Sequence, residues 1–142
     1  MKSTQATIVE WFLRLSLSAG LLSAVADRFG LWGAERSAWG DWGSFLAYTQ
    51  QINPWVPAFL IPALGAVVTV LEVALGIMLL IIYRTDLIAK ATGVLLLLFA
   101  LAMATSSSIK SPLDASVFSA SAAAFALSLL AGKEDARAAA RQ

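Results

Sequence analysis

The sequence predicts an all-α fold in which four hydrophobic helices cross a lipid bilayer as an antiparallel bundle. Hydrophobic residues make up 59% of the 142 residues and charged residues 13%, whereas soluble domains carry about 25% charged residues. The hydrophobic residues fall into four runs, and a backbone in lipid must pair its own polar groups, which favours helices for such runs. We expect a single domain over residues 1–132 and a short cytoplasmic tail over residues 133–142.

The first predicted span covers about residues 8–28. Its apolar run contains Glu10 and Arg14 and closes at Arg28. A cleaved signal peptide is the alternative interpretation, because residues 24–26 match the small-residue pattern of a cleavage site. Two charges ahead of so short an apolar stretch favour the retained helix over the cleaved peptide.

The second predicted span, residues 57–82, gives the strongest membrane signal in the sequence. Glu72 is its only charge, and the run is long enough to cross a hydrocarbon core of about 30 Å. Trp55 and Tyr83 bracket it, as aromatic residues do at the two interfaces of a membrane.

The third and fourth predicted spans cover about residues 87–108 and 113–131. Short turns precede both, so we expect each to run antiparallel to its neighbour. The fourth span carries a small residue at every fourth position, a spacing that allows helix backbones to approach closely in lipid. This small-residue stripe consists of Ser116, Ala120, Ala124 and Ser128. A segment that is merely rich in alanine is the alternative interpretation.

The connection between the first two spans, about residues 30–54, is longer and rich in aromatic residues. A short helix there would place four residues on one face, which indicates an interfacial or re-entrant segment. These residues are Trp42, Phe45, Leu46 and Thr49. A loop whose aromatic side chains reach the membrane interface is an equally compatible interpretation.

The distribution of basic residues predicts the orientation of the chain. With four spans, the side that holds both termini carries Lys2, Arg84, Lys90, Lys133, Arg137 and Arg141. The opposite side carries Arg28, Arg36 and Lys110. The positive-inside rule therefore places both termini in the cytoplasm.

The residue inventory excludes several classes of function. The net charge is +1, so the chain has no basic field for binding nucleic acid. It contains no cysteine and no histidine, which removes thiolate nucleophiles, imidazole bases and the usual ligands of zinc, copper and haem. We therefore expect no metal site, and the inventory disfavours an enzyme that acts as an isolated chain.

Arg14 and Glu72 are the two charges predicted to lie deepest in the membrane. A lone charge there costs at least about 2.5 kcal/mol, and their depths agree within an arginine's length, so we expect them to pair. Glu10, one turn before Arg14, would share the guanidinium. Thr69 and Gly76 share the Glu72 face. The network either pins two helices together or forms the polar floor of a pocket for a quinone-like amphipathic molecule.

A set of short motifs is spread along the chain from about Trp11 to Leu130. It consists of Arg14 with Ser18-Ala19-Gly20, Asp27-Arg28-Phe29-Gly30, Phe45 and Tyr48 before Pro57, Glu72 with Gly76, and Tyr83-Arg84. In combination, these motifs resemble the sequence pattern of the DoxX family of small four-helix membrane proteins. Ile82 departs from the pattern, since relatives often carry glycine just before the Tyr-Arg pair.

The resemblance implies a four-helix protein of the bacterial inner membrane. Named relatives are associated with a thiosulfate:quinone oxidoreductase, a terminal quinol oxidase and other membrane oxidoreductase complexes. We therefore expect an accessory subunit of a redox-linked protein complex, with a quinone as the cofactor that needs no Cys or His ligand. The alternative is a small-solute or lipid-binding membrane protein without electron transfer, in which the same polar pair lines the cavity.

Overall fold

The computed structural model describes residues 3–139 of the chain, with side chains for residues 3–133. Over this range all regular secondary structure is helical, which confirms the all-α prediction. The α-helices are α1 Thr4–Arg28, α2 Trp42–Ile52, α3 Ile61–Met78, α4 Thr85–Ser106, α5 Lys110–Asp114 and α6 Val117–Ala139. A short 3-10 helix, Ala58–Leu60, leads into α3. The basic side chains of Lys2, Arg137 and Arg141 lie outside the described side chains.

Local sequence signals set where the helices begin. The Ser3 side chain accepts a hydrogen bond from the Ala6 amide at 3.2 Å and caps α1. Asp41 caps α2 by accepting the Ser44 amide at 2.9 Å. Such side chains satisfy amide groups that have no acceptor within the helix. Arg84 has a left-handed backbone, with φ 44°, immediately before α4.

Three helical segments of the described chain are long and apolar enough to cross a membrane: Thr4–Arg28, Ala58–Met78 and Thr85–Ser106. The second span ends earlier than predicted, because α3 stops at Met78 and residues 79–84 form turns and bends. The predicted fourth span is divided by a turn at Ser116, which has φ 55°. A further apolar helical segment, Val117–Lys133, is the part of α6 whose side chains are described, and the helix itself continues to Ala139.

The closest helix pair is α4 and α6, which run antiparallel. Ser121 Oγ donates to the Gly93 carbonyl at 2.7 Å, since small side chains allow two backbones to approach. The second half of the predicted small-residue stripe takes part in this packing, and Ala124 and Ser128 are buried there. Ser116, at the start of the stripe, is exposed in the turn before α6.

The buried apolar core lies toward the end of the molecule at which the turn around Arg84 joins α3 to α4. Its members are Leu17, Leu21, Leu75, Leu79, Ala89, Leu95, Ala124 and Leu127. At the other end, α2 packs against both α3 and α4. These two ends are hereafter the Arg84 end and the α2 end. α1 packs against α3 and α6, so residues from all four long helices meet in the core.

Large apolar side chains lie on the surface as well as in the core, and two charged side chains are buried. Large apolar side chains face outward along the long helices and their connections. Phe12, Phe59 and Ile82 are 70%, 80% and 78% exposed. Arg14 and Glu72, in contrast, are 1% and 2% exposed. An apolar surface of this extent is rare on soluble monomers and compatible with contact to a lipid bilayer.

Candidate functional site

A cavity of about 690 Å³ lies between the helices at the α2 end. Residues of α1, α2, α3, α4 and α6 line it, and most of them are apolar. One wall consists largely of α4 side chains, among them Leu95, Leu96, Leu98 and Leu101. The volume falls within the range of about 300–1,000 Å³ that is typical of small-molecule sites.

The polar part of the cavity wall is a buried ion pair between α1 and α3. Arg28 Nη1 contacts the Glu72 carboxylate, and both residues line the cavity. The same nitrogen donates to Thr69 Oγ1 at 2.7 Å, and the Thr69 hydroxyl donates to the Gly65 carbonyl at 2.8 Å. The two opposite charges neutralise each other in a place where either charge alone would be costly.

Aromatic rings cover the guanidinium of Arg28. Its central carbon lies 3.9 Å from the ring centroid of Phe45 and 5.5 Å from that of Trp39, within the range of cation–π contacts. Arg28 Nε is buried and has no hydrogen-bond partner in the described part of the chain. A buried N–H group without an acceptor costs free energy.

Asp27 fixes the loop that carries Trp39 to the cavity. Its carboxylate accepts the backbone amides of Ala38 at 2.8 Å, Trp39 at 3.4 Å and Gly40 at 3.2 Å. The loop closes on itself at two glycines with positive φ, because a Cβ at Gly30 would lie 3.0 Å from the Gly40 carbonyl oxygen. The end of α1 thus positions both the loop and the ion pair.

The predicted short helix in the first connection is present as α2 and closes the cavity on one side. Phe45 and Thr49 are its buried residues, and it approaches α3 at Gly65, where a Cβ would lie 2.6 Å from Leu46 Cδ2. Tyr48 lines the cavity and is half-buried, and this burial raises the pKa of its phenol. Its hydroxyl makes no hydrogen bond to the described side chains and backbone of residues 3–133, so it is a donor open to a ligand.

A second polar cluster lies at the Arg84 end, outside the cavity. The Arg14 guanidinium pairs with Glu10, at 3.4 Å from Nε. Its Nη2 donates to Thr85 Oγ1 and to the Ile81 carbonyl, the latter at 3.5 Å. The Trp11 ring centroid lies 5.0 Å from the guanidinium carbon. These contacts join the first half of α1 to the turn between α3 and α4.

The predicted pairing of Arg14 with Glu72 is wrong, because Arg28 is the partner of Glu72. Side chains on a helix lean toward the amino terminus of their own helix. Arg14 therefore reaches toward the Arg84 end, away from Glu72. Arg28, at the last position of α1, reaches back along the helix to the carboxylate. The predicted contact between Glu10 and Arg14 is confirmed.

Of the residues predicted for the site, Glu72 is the one that lines the cavity. Thr69 lies beside it and holds Arg28 by a hydrogen bond. Gly76 lies nearer the core, where its carbonyl accepts the Ser18 hydroxyl at 2.7 Å. Gly76 therefore serves the close packing of α1 on α3, and Glu10 and Arg14 belong to the cluster at the other end.

Three residues that line the cavity could not be predicted from their position along a membrane span: Arg28, Trp39 and Tyr48. Each lies at the end of a helix or in the first connection, where the hydrophobic pattern places no site. Arg28 and Tyr48 belong to the pattern that resembles the DoxX family, and that pattern is the sequence signal for them.

Among the described side chains, residues 3–133, no group of three or more His, Cys, Asp or Glu is placed to hold a metal ion. Comparisons with protein-family models, with curated proteins and with solved structures found no match. Function therefore has to be inferred from the residues of this chain.

Proposed function

We propose that this chain is a DoxX-like protein of the bacterial inner membrane that binds a quinone as an accessory subunit of a redox-linked complex. The observation that carries the proposal is an apolar cavity with the buried pair of Arg28 and Glu72 in its wall. A quinone has a flat ring with carbonyl acceptors and an apolar chain. It therefore needs a hydrogen-bond donor at one place and apolar walls elsewhere, and the cavity offers both.

In this proposal the four long helices cross the membrane as a bundle, with both termini in the cytoplasm. Exposed apolar side chains on each of them support the assignment, and these include Phe12, Val67, Leu98 and Leu129. The apolar part of α6, Val117–Lys133, is at the lower limit of about 17 residues for a span. The excess of basic residues near the two termini and the Arg84 turn supports the orientation.

The Tyr48 hydroxyl is a donor available to a carbonyl group of a quinone in the cavity. Tyr48 stays protonated at neutral pH, because burial raises its pKa further above neutrality, and a protonated phenol donates. Glu72 neutralises the charge of Arg28. The wall thus presents a donor without a net charge, which suits a neutral head group better than a carboxylate or an ammonium.

Electron transfer belongs to a partner protein in this proposal. The chain has no Cys and no His, and these residues hold most metal and haem centres in proteins. The residues of this chain bind the quinone ring and exclude water from it. The partner exchanges electrons with the bound ring.

A second function, lipid or small-solute binding without electron transfer, fits the same cavity. The cavity lining favours this second function, because it is apolar over most of its extent. Such a lining would accept the hydrocarbon chain of other neutral amphipathic molecules. The two functions differ in the head group that the cavity retains and in the partner that purifies with the chain.

Purification of the full chain from its native membrane in mild detergent, with mass spectrometry of retained proteins and lipids, separates the two functions. A retained quinone together with a stable redox partner is the expected result. A retained lipid or solute that is not redox-active supports the second function and overturns the first. Recovery of the chain as a monodisperse protein in plain aqueous buffer would overturn the membrane assignment itself.

A binding assay tests the donor in the cavity. A benzoquinone with a decyl chain is titrated into the purified protein, and quenching of tryptophan fluorescence reports binding. Tyr48→Phe should weaken binding by up to about tenfold, the value of one hydrogen bond. Tyr83→Phe is the matched control, because Tyr83 is 67% exposed and does not line the cavity. Absence of binding to the parent protein would overturn the quinone proposal.

A further inference from the structure

One face of α1 borders the cavity with small residues. Ser16, Gly20 and Ala24 lie four positions apart and all line it. Ser16 and Gly20 are also exposed to the surroundings, and a Cβ added at Gly20 would meet no atom within 4 Å. In contrast, a Cβ at Gly76 or Gly93 would meet a side chain of another helix at 3.0 Å. Gly20 therefore does not serve helix packing, and the space in front of it is open.

Two exposed leucines of α4 also line the cavity. Leu98 and Leu101 line the cavity while they are 58% and 47% exposed. A side chain that lines a cavity and is also exposed lies at the place where the cavity meets the outside. Ser16 and Gly20 on α1 are hereafter the lateral opening, and Leu98 and Leu101 mark an exposed edge of the cavity on α4.

The lateral opening lies away from both ends of α1. Gly20 precedes Arg28 by eight residues on α1, which corresponds to about 12 Å along the helix axis. The ion pair of Arg28 and the lateral opening thus lie at separate places along one largely apolar cavity. In a membrane, the middle of α1 faces the hydrocarbon core and not the aqueous phase.

We infer that the cavity binds a neutral molecule with a long hydrocarbon chain, whose chain passes through the lateral opening into the lipid. The inference rests on the proposed binding of a quinone-like head group. The Tyr48 hydroxyl, on a half-buried residue that lines the cavity, donates to the head group at the inner place. The apolar, open path past Gly20 matches the chain. The ligand therefore reaches the site from the bilayer and stays partly in contact with lipid.

The test compares two probes that share one head group. One is the benzoquinone with a decyl chain, and the other is the same ring with a methyl group in its place. Gly20→Phe fills the lateral opening without a clash at the Cβ, and Ser16→Phe does the same from the next turn. Ala19→Phe is the matched control, because Ala19 is exposed on α1 and does not line the cavity.

Gly20→Phe and Ser16→Phe should raise the Kd of the decyl probe by about tenfold or more and leave the Kd of the methyl probe unchanged. Ala19→Phe should bind both probes like the parent. If both Phe variants of the opening bind the decyl probe like the parent, the lateral opening is wrong while the quinone proposal stands. If both probes weaken equally, the chain does not pass there. If the parent binds neither probe, the proposed function itself fails.

Discussion

Arg28, the last residue of α1, forms a buried ion pair with Glu72 in the interior of α3, so the end of one helix supplies the counter-charge for the middle of another. The pair holds α1 against α3 and also forms the polar wall of the cavity. Removing one charge leaves the other buried and unpaired, whereas removing both leaves no charge to compensate. Helix packing and ligand binding thus depend on the same two side chains.

Glu72→Gln should lower stability strongly, because Arg28 would remain charged in a buried place without its carboxylate. Truncating one partner of a buried pair costs about 3–5 kcal/mol. Thermal unfolding in detergent of Glu72→Gln, Arg28→Met and the double variant measures the coupling. The double variant should recover a large part of the stability that Glu72→Gln loses.

Arg14 gives the matched control for this cycle. Arg14 contacts Glu10, Thr85 and Ile81 at the Arg84 end. The decreases in unfolding free energy caused by Arg14→Met and by Glu72→Gln should therefore be additive. The observed pairing would be contradicted if the changes in unfolding free energy were non-additive for Arg14 and Glu72 but additive for Arg28 and Glu72.

The helical fold could be predicted from the sequence because hydrophobic runs of this length have few other solutions. The runs located α1, α3 and α4 to within a few residues at most of their ends. They did not locate the end of α3, since residues 79–82 are as apolar as the helix before them and hydropathy does not report where helical hydrogen bonds stop. The turn at Ser116 was missed because its left-handed backbone falls on a residue type with no strong preference for it.

The candidate site could be predicted only in part. Depth along a span correctly singled out Glu72 as a buried charge that needs a partner. Depth along a span predicted Arg14 instead of Arg28 as the partner of Glu72, because residue numbers give the depth of the backbone and not the direction in which a long side chain extends. Trp39 and Tyr48 reach the cavity through the fold of the first connection, which depends on the hydrogen bonds to Asp27 and has no periodic signal.

Gly93→Leu should destabilise the packing of α4 on α6. A Cβ at Gly93 would lie 3.0 Å from the ring of Phe125, and overpacking of this kind costs about 1–3 kcal/mol. Gly20→Leu is the matched control, because its Cβ meets open space and leucine favours the helix over glycine by up to about 1 kcal/mol. Thermal unfolding of the two variants should therefore shift in opposite directions. A Gly93→Leu protein as stable as the parent would contradict the close approach of the two helices.

Asp27→Asn should loosen the loop between α1 and α2. The carboxylate accepts the amides of Ala38, Trp39 and Gly40, and a neutral amide replaces it with one weaker acceptor oxygen. Hydrogen exchange with mass spectrometry should show faster exchange in residues 29–41 and unchanged exchange in α4. Glu35→Gln, an exposed change in the same loop, should leave exchange as in the parent, and equal effects of both variants would exclude the role of Asp27.

The start of α2 should become less stable in acid, because the capping group is a carboxylate. Hydrogen bonds from the amide and hydroxyl of Ser44 lower the pKa of Asp41. The unfolded chain therefore takes up the proton more readily than the folded protein, so the capping contribution is complete above the ordinary pKa of about 3.9 and is lost as pH falls through the lower, folded-state pKa. Asp41→Asn keeps a capping oxygen that does not titrate. The difference in unfolding temperature between the parent and Asp41→Asn should be constant near neutral pH and shift against the parent in acid, and a difference that stays constant throughout would refute this role of Asp41.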